Sequence, residues 1–340
     1  MKVIIIRLLI IASVFSTTLA QGISNQEKNF EYLWNTFDKK YALFIPKRID
    51  WDALYRIYRP KVSSQTSDSV LFDIMSNLLG HLNDNHVRLN SPNRSYRSGI
   101  LGAMPEMDNF FPLIKTKYLH DYKDLPAGMF SGWLTDSIGY FYIQYFQDAE
   151  LSAKVIDGII NEFKDTKGIV IDIRENYGGE DDVGKAIADR FADKRRLYML
   201  ERYKNGNSHN DFAAPKKRYV EPKGAFRYTK PVILLINRYS ISAAEVFTLA
   251  MRLLPHVTII GDATSGVFAD VYQDTLPNGW TFRCPYSLIK DASDFCWEGI
   301  GIPADIHQTI TKEDINSGHE RVLDLAIALL NTSKRSKLQK

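Results

Sequence analysis

Three short apolar runs constrain this chain more than any other feature: residues 168–173, 231–236 and 257–260. A strand that buries one face alternates apolar and polar residues, whereas an uninterrupted apolar run needs cover on both faces. Segments of helical periodicity surround these runs, at 149–163, 182–191 and 243–254, and a further strand is expected at 138–146. Strands of that kind alternating with helices imply an α/β core with both sheet faces covered.

The N-terminal side is different. Over 26–43, Phe30, Leu33, Trp34, Phe37 and Tyr41 recur at three- and four-residue steps, the stripe of an amphipathic helix. Asp50 is placed to cap a second short helix with Trp51, Leu54, Tyr55 and Tyr58 inward, which Pro60 ends. Val70, Leu71, Ile74, Met75, Leu78, Leu79 and Leu82 predict a third, so 24–82 reads as a small helical unit. Residues 90–132, rich in Pro, Asn, Ser and Gly, are expected to be loops and short strands. They are too few for an inserted peptide-binding module.

Residues 1–20 place Lys2 and Arg7 ahead of the apolar run 8–15 and end in Thr18-Leu19-Ala20, the pattern of a cleaved signal peptide. The run is shorter than the roughly 20 residues that cross a bilayer. Export to a periplasmic or extracellular space, without a stable membrane anchor, is therefore expected, with Gln21 as the mature start. Only two of the 43 basic residues and none of the 40 acidic ones lie in that segment. The near-neutral remainder offers no electrostatic footprint for nucleic acid. Cys284 and Cys296 are the sole cysteines, and in an oxidising compartment a disulfide between them is expected.

Four polar segments are candidates for chemistry. Ser240-Ile241-Ser242-Ala243-Ala244-Glu245 lies where an apolar strand gives way to a helix. Ser242 there could be a nucleophile, or with Glu245 three residues on it could be a capping box. It lacks the Gly-x-Ser-x-Gly of the α/β-hydrolase elbow. Asp172 to Gly179 runs from a strand into Gly178-Gly179, whose N–H groups could hold an oxyanion or simply form a tight turn. His86, in Leu82-Asn83-Asp84-Asn85-His86, could be a general base or a surface histidine. Glu298, in a Gly- and Pro-punctuated turn reaching Asp305, could orient a base or lie on the surface. His81 and His86 do not have zinc-helix spacing. No metal or cofactor site is expected.

The order of these pieces resembles the serine peptidase family of tail-specific C-terminal processing proteases and the catalytic core of tricorn protease. The resemblance covers nearly the whole chain after residue 20. It is carried by Tyr41-Ala42-Leu43-Phe44, Ile49-Asp50-Trp51-Asp52, the 82–86 turn, Ile138-Gly139-Tyr140-Phe141-Tyr142-Ile143, the 172–179 segment, the 240–245 segment, 261–266 and 298–305. It implies a ClpP/crotonase-like α/β core preceded by a small N-terminal helical domain. The chain then divides into a signal peptide (1–20), a helical domain carrying His86 (21–95), a linker with short strands (96–132), a catalytic domain (133–330) and a basic tail (331–340). Ser242 takes the nucleophile position, and the N–H groups of Gly179 and Ala243 would form the oxyanion hole. In the tail-specific branch a lysine follows the Gly-x-x-Thr-x-Gly turn as base. Here Val267 follows Gly261-Asp262-Ala263-Thr264-Ser265-Gly266. The tricorn-like branch instead uses histidine and glutamate, which implies His86 as base and Glu298 as its orienter. Asn85 stands where that branch carries a serine.

The implied function is hydrolysis of peptide bonds in a peptide or protein substrate. The same resemblance extends to the interphotoreceptor retinoid-binding protein, so a carrier of apolar ligands, or a peptide-binding pseudoenzyme, is the alternative. Holding nucleophile, base and orienter together favours the enzyme. The oligomeric state leaves no mark on the sequence.

Overall fold

In the computed structural model, residues 23–99 and 110–332 are described. The signal-peptide expectation lies outside them, as does the basic tail from residue 333 on. None of the described helices is long and apolar enough to cross a membrane.

Helices α1 (Asn25–Lys40), α2 (Phe44–Lys47), α3 (Trp51–Tyr58) and α4 (Asp68–Gly80) open the chain. Ser24 and Glu27 close a capping box on α1, and the Asp50 carboxylate accepts from Ala53 N–H to start α3, as its position predicts. A hairpin of β1 (Arg88–Asn90) and β2 (Ser95–Arg97) follows, then the short α5 (Phe111–Leu113). The antiparallel β3 (His120–Leu125) and β4 (Met129–Thr135) lead into β5 (Ile138–Ile143). The 90–132 stretch thus holds one full strand of the main sheet, β3, and the first part of β4 besides its loops.

From there helices and strands alternate: α6 (Ala149–Glu162), β6 (Gly168–Asp172), α7 (Asp181–Asp189), the excursion β7 (Arg196–Tyr203) and β8 (Lys216–Val220), β9 (Val232–Ile236), α8 (Ala243–Met251) and β10 (Val257–Gly261). After β11 (Val271–Thr275), β12 (Thr281–Pro285) and β13 (Ser287–Asp291), the chain closes with β14 (Ile306–His307), α9 (Lys312–Asn316) and α10 (Arg321–Thr332).

The main sheet has the order β14-β10-β9-β6-β5-β4-β3, parallel from β14 to β5. Successive side chains point to opposite faces, and the apolar runs use both. Ile169, Ile171, Leu234 and Ile236 pack under α6, α7 and α8, while Val170, Ile233 and Leu235 meet α10. This two-sided burial explains why those strands are uninterruptedly apolar.

The N-terminal helices share their core with a distant part of the chain. Phe30, Phe37, Trp51, Leu78 and Leu89 form one cluster with Leu276, Trp280, Phe282 and Leu288. Strand β1 pairs with β12, Leu89 opposite Phe282, in a sheet of order β11-β12-β1-β2. That pairing carries the His86 segment onto the flank of the α/β core.

The expected disulfide is not formed: Cys284 and Cys296 are free thiols. Cys284 shares the inward face of β12 with Phe282 and is buried in the N-terminal cluster, while Cys296 lies in the turn before Glu298 and packs only partly against it. A separation of twelve residues fixes neither the Cα distance nor the direction of the Cβ vectors that a disulfide needs.

Candidate active site

The loop from β9 to α8 is tied to the end of β6. Ser240 Oγ donates to Ile173 O (2.8 Å) and accepts from Asn237 N–H (3.1 Å), and Ser240 is fully buried. Its hydroxyl is committed to the scaffold. Two residues on, Ser242 is half-buried and has φ 59° and ψ −118°. That is not the extended backbone of an ordinary N-cap. A non-glycine residue held in such a sparsely populated region is found mainly where the surroundings dictate it and function uses it.

What dictates it is Glu245. From the first turn of α8, its buried carboxylate accepts Thr264 Oγ1 (2.6 Å) and Gly266 N–H (2.6 Å) on Oε1, and Val267 N–H (2.7 Å) and Ser242 N–H (3.2 Å) on Oε2. Burial pushes this carboxyl up to about 7, against the pull of its four donors. The return bond from Glu245 to Ser242 expected of a capping box is present, but it is one strut of a hub joining the serine turn to the 261–266 turn.

The glycine pair meets this turn directly. Ile241 N–H donates to Asn176 O (2.9 Å), and Gly178 N–H to Asn176 Oδ1 (2.8 Å). Gly178 has φ +87°, and a Cβ there would lie 2.7 Å from Ile241 O and 2.9 Å from Ser242 Cβ. Glycine is required both by conformation and by close approach. Among the described residues neither Gly179 N–H nor Ala243 N–H donates to a protein acceptor. Ala243 opens α8, where the helix dipole favours negative charge. Ser242 and Gly179 line one cavity of about 320 Å³.

His86 comes from the other side. The Asp84 carboxylate accepts His86 N–H at Oδ1 (2.9 Å) and the Tyr41 hydroxyl at Oδ2 (2.8 Å), fixing the turn. The ring is half-buried; its Nδ1 has no hydrogen-bond partner among the described residues. Burial pushes the imidazole below its usual value, and the Asp84 and Asp270 carboxylates only partly offset this. Asp270 also lines the Ser242 cavity, so the charge of one carboxylate acts on the imidazole and on that cavity alike. No hydrogen bond joins the His86 ring to Ser242, which is common for catalytic pairs before substrate binds.

Glu298 is buried rather than on the surface, and its oxygens are taken by Phe268 N–H (2.8 Å) and Lys47 Nζ (3.1 Å). Burial and the nearby Asp84 charge push it up to about 8 in spite of Lys47. Its link to the His86 turn runs through Lys47, which also donates to Asn83 O (3.0 Å). Asn85 is buried beside Gly99, where a Cβ would fall 2.4 Å from Asn85 Oδ1. Val267, at the position of the lysine in the tail-specific branch, is buried. Lys47, Asp84 and Asp270 escaped the sequence reading. Only Asp84 left a local sign, a carboxylate two residues before an N–H in a polar turn.

A strained serine thus stands at the start of a buried helix, backed by a glycine turn at the C-terminal edge of the mixed sheet. The family model of peptidase family S41 matches residues 137–308, and that of the tricorn protease C1 domain matches 25–80. The chain belongs to peptidase family S41. It is 37% identical to a candidate peptidase from Parabacteroides merdae, with a TM-score of 0.82 over 90% of this chain and 97% of that one. It is 33% identical over 140 residues to the carboxy-terminal processing protease CtpA of Bacillus subtilis, covering 41% of this chain and 28% of that protein. The chain thus spans less than half the length of the curated relatives it matches. Mature CPAF in complex with lactacystin shares the fold, with a TM-score of 0.69 at 13% identity over 91% of this chain and 99% of that one.

Proposed function

We propose that this chain is an exported serine peptidase acting on peptides or proteins, with Ser242 as nucleophile and His86 as general base. The observation that carries this reading is the Ser242 turn: a serine in the left-handed region, pressed against Gly178 and opening into a cavity that Gly179 also lines. Ser242 Oγ attacks the carbonyl carbon while the His86 ring takes its proton. The C–O bond forms and the carbonyl π pair moves to oxygen, where Gly179 and Ala243 N–H groups stabilise it. Collapse breaks the C–N bond, and His86 returns the proton to the leaving amine. Water then hydrolyses the ester by the same steps. Burial keeps the imidazole neutral near pH 7, the form a base requires. Glu298 supports this as a positioning residue, holding the His86 turn by way of Lys47 and Asn83 O.

An apolar carrier fits the cavity poorly, because Asp181, Glu201, Lys216, Arg218 and Asp270 line it. The test is labelling by a fluorophosphonate. Wild type and Ser240→Ala are expected to label and Ser242→Ala not to; an unlabelled wild type that still folds would point to a pseudoenzyme, and a labelled Ser242→Ala would move the nucleophile elsewhere. For export, N-terminal sequencing of the mature protein should begin at Gln21, and an intact Met1 terminus would refute it.

A further inference from the structure

We propose that the cavity beside Ser242 is a specificity subsite for a cationic side chain, so that the enzyme cuts peptides next to lysine or arginine. The inference rests on the Ser242 reading and adds the substrate class to it.

Three acids from three elements build the subsite: Asp181 from the first turn of α7, Glu201 from β7 and Asp270 from the segment entering β11. One oxygen from each lies within 4.8 Å of the others, and all three residues line the cavity that holds Ser242 and Gly179. A substrate whose carbonyl carbon meets Ser242 Oγ must place a neighbouring side chain there.

The cluster is under-compensated as it stands. Glu201 is 3% exposed, yet its Oε2 has no hydrogen-bond partner among the described residues. The Lys216 ammonium forms an ion pair with it at 3.6 Å, too long for a hydrogen bond, and leaves the charges of Asp181 and Asp270 unmatched. Arg218, the other base lining the cavity, is engaged by Asp182. The Tyr203 hydroxyl sits 2.7 Å from Glu201 Oε1 and 2.6 Å from Asp270 Oδ2. A phenol has one proton, so both contacts are satisfied only if a carboxyl holds another. In agreement, burial raises the Glu201 carboxyl above its usual value, and burial with the charges of Asp270 and Glu201 pushes the neighbouring Asp181 up to about 7. An incoming ammonium or guanidinium brings three or five N–H donors and one positive charge to such a group.

A resident divalent ion suits the site less well. Calcium takes six to eight oxygens at about 2.3–2.6 Å, and magnesium near-ideal octahedral geometry at about 2.1 Å. Here three carboxylates open onto a cavity of about 320 Å³, a space for a side chain rather than for an ion.

The experiment compares kcat/KM for peptides carrying Lys, Arg, norleucine, Gln or Glu at each position flanking the cleaved bond. Wild type should prefer Lys or Arg over norleucine at one such position by about 100-fold, the ratio that corresponds to one buried acceptor left without its donor. Glu201→Gln should cut that ratio at least tenfold, and Asp181→Asn serves should the first variant not fold. Fluorophosphonate labelling of wild type separates the two claims. A labelled enzyme that cleaves norleucine peptides as fast as lysine peptides, or whose preference survives both substitutions, overturns the subsite and leaves the nucleophile standing. Activity abolished by chelator and restored by calcium or manganese overturns it in favour of a metal site. If wild type does not label, calorimetry of Ser242→Ala decides: tighter binding of the lysine peptide than of the norleucine peptide supports the subsite, and equal binding refutes it.

Discussion

Glu245→Gln preserves the shape of the side chain at the hub of the serine turn and exchanges one oxygen for an amide nitrogen. Oε1 accepts Thr264 Oγ1 and Gly266 N–H; Oε2 accepts Val267 N–H and Ser242 N–H. Whichever oxygen is replaced, two donors come to face another donor. A buried donor stripped of its acceptor costs about 1–3 kcal/mol, so the substitution should destabilise the protein by about 2–6 kcal/mol. Urea unfolding at constant pH, followed by circular dichroism, measures this as a lower midpoint with an unchanged slope. The same change disturbs the carboxylate that holds the Ser242 backbone N–H, so labelling of the folded variant should slow as well. A variant within about 0.5 kcal/mol of wild type, the range of ordinary surface changes, would show that the carboxylate does not organise the turn.

Three other outcomes follow from the geometry. The acidic limb of kcat/KM should lie below the ordinary histidine value of about 6.5, because burial favours the neutral ring and activity needs the unprotonated base; it should vanish with the activity in His86→Ala, and full activity in that variant would remove the histidine from the mechanism. Lys47→Met severs Glu298 from Asn83 O and should lower kcat by roughly 10- to 100-fold through misplacement of the base, with KM little changed; an unaltered kcat would leave Glu298 without a route to His86. Thiol titration of the denatured, unreduced chain should find both Cys284 and Cys296 free, whereas no free thiol would restore the disulfide.

The parts legible from sequence are those whose burial leaves a period. Val232 to Ile236 is apolar throughout because α8 and α10 cover its two faces. The excursion strands carry no such mark. Strand β8 reads Lys-Lys-Arg-Tyr-Val and β11 reads Val-Tyr-Gln-Asp-Thr, half-exposed segments whose partners are set by tertiary pairing. The site divides in the same way. Ser242, Gly178 and His86 lie in local turns with recognisable residue types, whereas Glu298 is explained by Lys47, a partner from the opposite end of the chain with no sequence period connecting them. Cys296 was misjudged for the same reason, since spacing reports proximity along the chain and not side-chain direction.

The pairing of Leu89 with Phe282 has a consequence for when the enzyme can act. A nascent chain makes its His86 segment first, its Ser242 turn next, and the β12 strand that docks one onto the other last. Roughly 190 residues of chain must close before that contact forms, a non-local step that comes late and slowly in folding. Until β12 is in place the His86 segment is not held on the flank of the core that presents Ser242, so on the proposed mechanism hydrolysis waits for this late pairing.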